Sequence, residues 1–168
     1  MTNDELQGWF TGRVPDDWFT GLEVKSDRDE IVVVGTIAEP KLEAKDNEAA
    51  AQAARRSRAD AFREETRERR IHIASEAEHR FGKKVTWGVK IGSDELRFTS
   101  LAAPVMTRLR FEERAVLDTL VDASVARSRS DALAWCVRLV AQHQGEWIDQ
   151  LRDALVEVER VRTEGPAA

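Results

Sequence analysis

Residues 104–140, PVMTRLRFEERAVLDTLVDASVARSRSDALAWCVRLV, decide the fold of the C-terminal part of this chain. Their first residues alternate in character and predict a strand, because successive side chains of a strand point to opposite sides. A helix is predicted over 112–124, where the apolar stripe consists of Val116, Leu117, Leu120 and Val121. Ser128, three residues before Asp131, matches a capping box and predicts the start of a second helix. The predicted order is therefore strand, helix, helix.

This order resembles the ribbon-helix-helix (Arc/MetJ-type) DNA-binding family. In that family two chains pair their single strands into one two-stranded ribbon, which enters the major groove and reads base edges. The resemblance therefore implies a homodimer, with double-stranded DNA as its ligand. It covers about 37 of the 168 residues, so the rest of the chain needs an interpretation of its own.

The resemblance assigns base reading to the outward side of the strand, where Met106, Arg108 and Arg110 lie. Val105, Thr107 and Leu109 share the other side and fit the core. Arginine can donate two hydrogen bonds to O6 and N7 of guanine, and methionine can contact the thymine methyl group. Without the helices behind it, this segment is more typical of an edge strand with solvent-facing arginines.

The resemblance also assigns a DNA-backbone contact to the start of the second helix. The residues in that position are Arg127, Ser128, Arg129 and Ser130, and free N–H groups at a helix N-terminus suit a phosphate. The helix that follows is apolar on two sides, with Leu133, Cys136, Val137 and Val140 on one and Trp135 and Leu139 on another. Such a helix needs burial on more than one side. In the family it packs against the same helix of the second chain.

Two features depart from the family pattern. The strand-helix-helix order begins only after about a hundred residues, whereas in many members it opens the chain. The adjacent acids Glu112 and Glu113 stand close to the strand and weaken the positive field there.

Residues 1–101 are predicted to form a small α+β domain with the order β-β-α-β-β. Alternating residues and polar turns predict two hairpins, with strands near 22–25, 31–37, 85–91 and 96–98. Between them, residues 47–80 contain no Gly or Pro and predict one long amphipathic helix that covers an antiparallel sheet. The Trp-Phe pairs at 9–10 and 18–19 are interpreted as packing anchors. Residues 102–143 are then the ribbon-helix-helix module, and 144–168 an amphipathic helix with a frayed end.

The long helix contains an arginine-rich stretch between residues 54 and 70. Such a stretch is most often a solvated helix face. The alternative is an auxiliary basic face that contacts phosphates beside the ribbon. Its members would be Arg55, Arg56, Arg58, Arg63, Arg67 and Arg70.

The tail has apolar residues at helical spacing, and six acids against three bases between 146 and 164. One interpretation is that it extends the dimer core or folds back onto the first domain. The alternative comes from the resemblance, because antitoxins built on this module clamp a partner toxin with the region that follows it. A protein partner would then bind at residues 145–163.

The remaining signals exclude several function classes. His72, His79 and His143 are too scattered to propose a metal site, and Cys136 lies among apolar residues, where cysteine is more often packed than reactive. No phosphate-binding glycine loop or serine elbow is present. We therefore expect no catalytic residues, no metal and no cofactor. The N-terminus has neither a basic start nor an apolar core, and no apolar run approaches about 20 residues. We therefore expect a cytoplasmic protein that does not enter membranes and that is nucleoid-associated when bound to DNA.

These observations predict a dimeric, sequence-specific DNA-binding protein, of the kind that regulates bacterial transcription as a repressor. The net charge of -5 does not decide against it, since local fields steer binding. The alternative is an antitoxin-like or other protein-interaction module that uses the strand-helix-helix segment for dimerisation. The ligand of the first domain stays open.

Overall fold

The computed structural model of the protein describes residues 2–41 and 47–165. The chain divides after Pro104 into two compact units. The first unit contains α1 (Asn3–Thr11), β1 (Gly21–Ser26), β2 (Glu30–Thr36), α2 (Glu48–Glu65), α3 (Arg67–Phe81), β3 (Lys84–Ile91) and β4 (Asp94–Arg97). The second contains α4 (Phe111–Asp122), α5 (Arg129–His143) and α6 (Gly145–Glu164). The predicted α+β class is confirmed. The end that we expected to be frayed lies mostly outside the described residues.

The sheet of the first unit has the order β1-β2-β3-β4. Both predicted hairpins are confirmed, since β1 pairs antiparallel with β2 and β3 with β4. The expectation of a wholly antiparallel sheet is wrong at its centre, where β2 and β3 run parallel with Val33 opposite Trp87. The physical reason is the crossover: a helical connection between two strands returns the chain to the end from which it started, so the strands pair in parallel.

The predicted single helix over 47–80 is also wrong, because it is interrupted at Thr66. The Thr66 hydroxyl donates to the Phe62 carbonyl oxygen at 2.6 Å and accepts from Arg70 Nε at 2.9 Å. A threonine that bonds back to the carbonyl four residues earlier bends a helix. Two helices, α2 and α3, therefore stand where the sequence predicts one.

The N-terminal helix α1 was not predicted, although its cap is visible in the sequence. Thr2 and Glu5 form a capping box: Glu5 N donates to Thr2 Oγ1 at 3.3 Å, and Thr2 N donates to Glu5 Oε2 at 2.9 Å. Leu6 and Phe10 are buried, and Phe10 meets Trp87 edge to face with ring centroids 6.1 Å apart. The aromatic anchors therefore pack on the sheet as expected, but the first pair does so from a helix.

The second unit has a small core of its own. Its buried residues are Leu117, Ala126 and Ala132. Most of its other large apolar side chains are exposed, as described below. Among the described residues, no helix combines the length and the apolar character that crossing a membrane requires.

Candidate nucleic-acid interface

The segment before α4, predicted as the ribbon strand, has no strand in the single chain. Residues 99–110 have no regular secondary structure. Val105 and Met106 are 85% and 96% exposed. Of this segment, only Leu109 packs against the core of the second unit. A strand exists only where a neighbour accepts and donates its backbone hydrogen bonds. Within a ribbon that neighbour belongs to a second chain, so one chain leaves the segment unpaired.

The three predicted base-reading side chains, Met106, Arg108 and Arg110, are all exposed. Neither Arg108 nor Arg110 forms an ion pair with any residue that the structure describes. Both guanidinium groups are therefore available to an external acceptor. Val105, which we expected on the core side, is exposed as well, and only Leu109 occupies its predicted environment.

The junction between this segment and α4 is fixed by side-chain hydrogen bonds. Arg110 N donates to Glu113 Oε2 at 2.6 Å, and Arg114 Nη1 donates to the Leu109 carbonyl oxygen at 2.7 Å. The Glu113 carboxylate is thus engaged in capping the N-terminus of α4, where the helix dipole favours a negative charge. This arrangement offsets part of the negative charge that the two adjacent acids bring to the segment.

The turn between α4 and α5 sets the position of the second predicted contact. Ser124 has a φ of 58°, in the left-handed region that few non-glycine residues adopt. The N–H groups of Val125 and Ala126 then both donate to the Leu120 carbonyl oxygen, at 3.0 and 3.2 Å. Buried Ala126 and Ala132 lock α5 against α4, so the start of α5 is held by packing.

Ser128 caps α5 as the sequence predicts. Its hydroxyl oxygen accepts from Asp131 N at 3.2 Å, and its carbonyl accepts from Ala132 N at 2.8 Å. Asp131 also accepts from Arg127 N at 3.0 Å. The four predicted phosphate-binding residues, Arg127, Ser128, Arg129 and Ser130, are exposed at this helix start, where the helix dipole favours an anion.

Asp118 is a residue of this site that the sequence analysis missed. Arg129 donates to both of its carboxylate oxygens, Nε to Oδ1 at 2.6 Å and Nη2 to Oδ2 at 2.7 Å. These hydrogen bonds hold the pKa of the Asp118 carboxyl below its ordinary value and raise that of Arg129. The two residues are eleven apart and on different helices, so no local signal pairs them. In the free protein Arg129 is therefore occupied, and a phosphate has to compete with Asp118.

The outer faces of α5 and α6 are apolar and exposed. On α5, Leu133 and Cys136 pack against the core of the unit, whereas Val137 and Val140 are 63% and 50% exposed. No residue of α6 is buried. Among the described residues, 15 large apolar side chains are exposed, and 13 of them lie in the second unit, a concentration that is typical of an interaction surface.

The arginines of the predicted auxiliary face do not form one surface. Arg55 donates to Asp94 Oδ2 at 2.7 Å and to Glu48 Oε1 at 2.5 Å. Arg70 is buried: it donates to the Arg63 carbonyl oxygen at 2.6 Å and stacks on Phe98, 4.7 Å from the ring centroid. Burial lowers the pKa of the Arg70 guanidinium. Four of the six remain exposed, namely Arg56, Arg58, Arg63 and Arg67.

The first unit contains a cavity of about 250 Å³ between α1 and the start of β1. The amide of Gln7 on its wall is already engaged, donating to the Leu22 carbonyl oxygen at 2.8 Å and accepting from Val24 N at 3.0 Å. Nowhere in residues 2–41 and 47–165 do three His, Cys, Asp or Glu side chains come together as metal ligands.

Comparison with known proteins divides the chain where the structure does. Residues 4–97 match the family described as "Rv1265-like protein, N-terminal domain", and residues 110–162 match the "Mb1296 C-terminal domain". The chain belongs to the Rv1265-like family. Two relatives, the uncharacterized proteins Rv1265 of Mycobacterium tuberculosis and Mb1296 of Mycobacterium bovis, are each 54% identical over 159 residues, covering 94% of this chain and 69% of theirs. No solved structure matches the chain.

Proposed function

We propose that this member of the Rv1265-like family is a dimeric, sequence-specific DNA-binding protein that regulates transcription. One observation carries the proposal: residues 105–108 and Arg110 are exposed, the segment 105–110 pairs with no described strand, and it leads directly into the capped helix pair α4–α5. Each chain of a two-stranded ribbon contributes one strand, and that strand has no backbone partner until the second chain binds.

Two copies would place four arginines, Arg108 and Arg110 from each chain, on one side of the ribbon. Each could bind O6 and N7 of a guanine, with Met106 against a thymine methyl group. The first turn of α5 would hold the flanking phosphates and fix the register of the ribbon in the groove. The protein's net negative charge does not prevent this, because both predicted contacts lie on arginines at the surface of one unit.

The test is fluorescence anisotropy with fragmented mycobacterial DNA across a salt series. The wild type should bind with an affinity that falls as salt rises. Arg108→Ala with Arg110→Ala should weaken specific binding by about 100-fold or more, because each bidentate contact contributes about 1–3 kcal/mol. Arg28→Ala with Arg80→Ala removes the same charge from exposed sites of the first unit that belong to no predicted contact, and is the matched control. Equal losses in both variants would contradict base reading by the ribbon.

A second candidate function follows from the exposed apolar side of α6. In this alternative, which is antitoxin-like, the α4–α5 module serves dimerisation and α6 binds a protein partner. Removal of residues 145–168 should then abolish the partner complex, whereas the Arg108/Arg110 variant should keep it. In a DNA-binding assay the reverse is expected. The Arg108/Arg110 variant should lose DNA binding, and the chain without residues 145–168 should keep it.

A further inference from the structure

α6 carries a continuous apolar stripe that the described residues of its own unit leave exposed. Its members are Trp147, Leu151, Leu155, Val158 and Val161, between 46% and 65% exposed. They recur at spacings of three and four residues and lie on one side of the helix. Val156, 71% exposed, lies on the opposite side. The stripe is therefore a surface of defined position and not a general excess of apolar residues.

Most of the charged side chains of α6 are engaged in pairs within the helix. Arg152 donates to Asp149 at 2.6 Å, Arg160 to Glu157 at 2.5 Å, and Arg162 to Glu159 at 3.1 Å. Four of the six acids of α6 are thereby bonded to its three arginines, because Arg160 also bonds Glu164. A basic partner would find few free carboxylates here. A second copy of the same helix would pair through the apolar stripe and needs no opposite charge.

The exposed area fits a helix pair. At roughly 100 Å² for each half-exposed large side chain, the stripe offers roughly 500 Å² per chain. Two copies supply about 1,000 Å² of apolar surface before the flanking polar atoms are counted. Stable interfaces bury about 1,200–2,000 Å² in total.

We infer that α6 is a homotypic association helix, whose apolar stripe packs against α6 of a second copy of this chain. The dimer is then held at two separate places, by the ribbon with α5 and by α6. The role of this contact rests on the proposed function, since it raises the effective concentration of the second strand and so completes the ribbon. The contact itself forms without DNA.

Two identical substitutions on opposite sides of α6 test the inference. Val158→Asp puts a charge into the stripe, and Val156→Asp puts the same charge two residues away on the outer side. Analytical ultracentrifugation of the full chain without DNA, over a concentration series, should show self-association of the wild type and of Val156→Asp. Val158→Asp should weaken it by about 100-fold or more, because a buried apolar contact is replaced in both copies by an unpaired charge. A monomeric wild type, or equal effects of the two substitutions, would overturn the inference.

Disulfide formation between copies gives a second readout that does not depend on a destabilising change. With Cys136→Ser as background, Leu155→Cys lies in the stripe near the middle of α6, and Val156→Cys lies on the outer side. Mild oxidation should give cross-linked dimers of the first and few of the second. Equal cross-linking of both, or none of either, would overturn the pairing. No DNA is present in this experiment. A failure of DNA binding would therefore not contradict cross-linking through α6, and an absence of cross-links would not contradict DNA binding.

Discussion

Arg129 at the start of α5 is bound to Asp118 on α4 through both oxygens of the carboxylate, at 2.6 and 2.7 Å. This ion pair connects the two helices of the proposed DNA-binding module at the place where a phosphate is expected. Both side chains are substantially exposed, so the pair adds little to stability. Under the proposed function its main consequence is competition, because Arg129 would have to leave Asp118 before it could contact a DNA phosphate.

Asp118→Asn should therefore strengthen DNA binding. The freed Arg129 adds about one phosphate contact per chain, so affinity should rise by about three- to tenfold at low salt, and the dependence of log affinity on log salt should steepen. Asp122→Asn is the matched control, since it removes the same charge from an exposed site on the same helix. Anisotropy titrations check both. An equal gain in the two variants would mean that net charge alone is responsible.

Acid should weaken the first hairpin through Asp27. The backbone N–H groups of Glu30 and Asp29 donate to its carboxylate at 2.8 Å and lower the pKa of Asp27 below its ordinary value of 3.8. A lowered folded-state pKa means that this stabilisation is present above the unfolded pKa and is lost as the pH falls through the folded one. Urea unfolding should show that the wild type loses more stability than Asp27→Asn below pH 3.8. Parallel curves would refute the role of Asp27.

Two glycines should respond in opposite ways to alanine. A Cβ at buried Gly35 in β2 would overlap the ring of Phe19, so Gly35→Ala should cost about 1–3 kcal/mol through overpacking. A Cβ at Gly8 in α1 meets nothing within 4 Å, so Gly8→Ala should stabilise the protein by about 0.5–1 kcal/mol. Thermal unfolding measures both. A neutral Gly35→Ala would mean that the ring moves aside without cost.

The cap of α5 should be sensitive at one serine and not at the other. Ser128→Ala removes the acceptor of the Asp131 N–H and should lower the free energy of unfolding by about 1 kcal/mol. Ser130→Ala, at an exposed position in the first turn, should change it by less than about 0.5 kcal/mol. Chemical denaturation checks the pair. Similar losses at both positions would place the cap elsewhere.

Much of the fold could be predicted because its signals are local. Both hairpins follow from alternation and polar turns, and the start of α5 follows from Ser128 and Asp131. The parallel pairing of β2 and β3 was missed, although a long helical connection between two strands is the condition under which parallel pairing arises. The interruption of the helix at Thr66 was missed because no Gly or Pro, the usual sequence signals of a helix break, lies near it. The capping box of Thr2 and Glu5 is a local signal for the start of α1. The helix nevertheless went unpredicted, because the residues after it were interpreted only as aromatic packing anchors.

The candidate site was less predictable than the fold. Met106, Arg108 and Arg110 are exposed, but so are Val105 and Thr107, which were predicted on the core side, so the exposure does not alternate and only Leu109 packs as predicted. Asp118 could not be found, since its partner Arg129 comes from another helix. The withdrawal of Arg55 and Arg70 from the basic stretch depends on Asp94 and Phe98, which tertiary folding brings to them.

The central claim is that residues 105–110 become a strand when two copies meet, and amide hydrogen exchange of the self-associated protein tests it most directly. In the single chain the amides of residues 105–109 donate no backbone hydrogen bond to any described residue, whereas Arg110 N donates to Glu113. Pairing in a ribbon should slow the exchange of about every second amide in this segment by orders of magnitude, even without DNA. Exchange at the rate of an unstructured peptide, in a protein shown to be dimeric, would contradict the ribbon and with it the proposed mode of DNA reading.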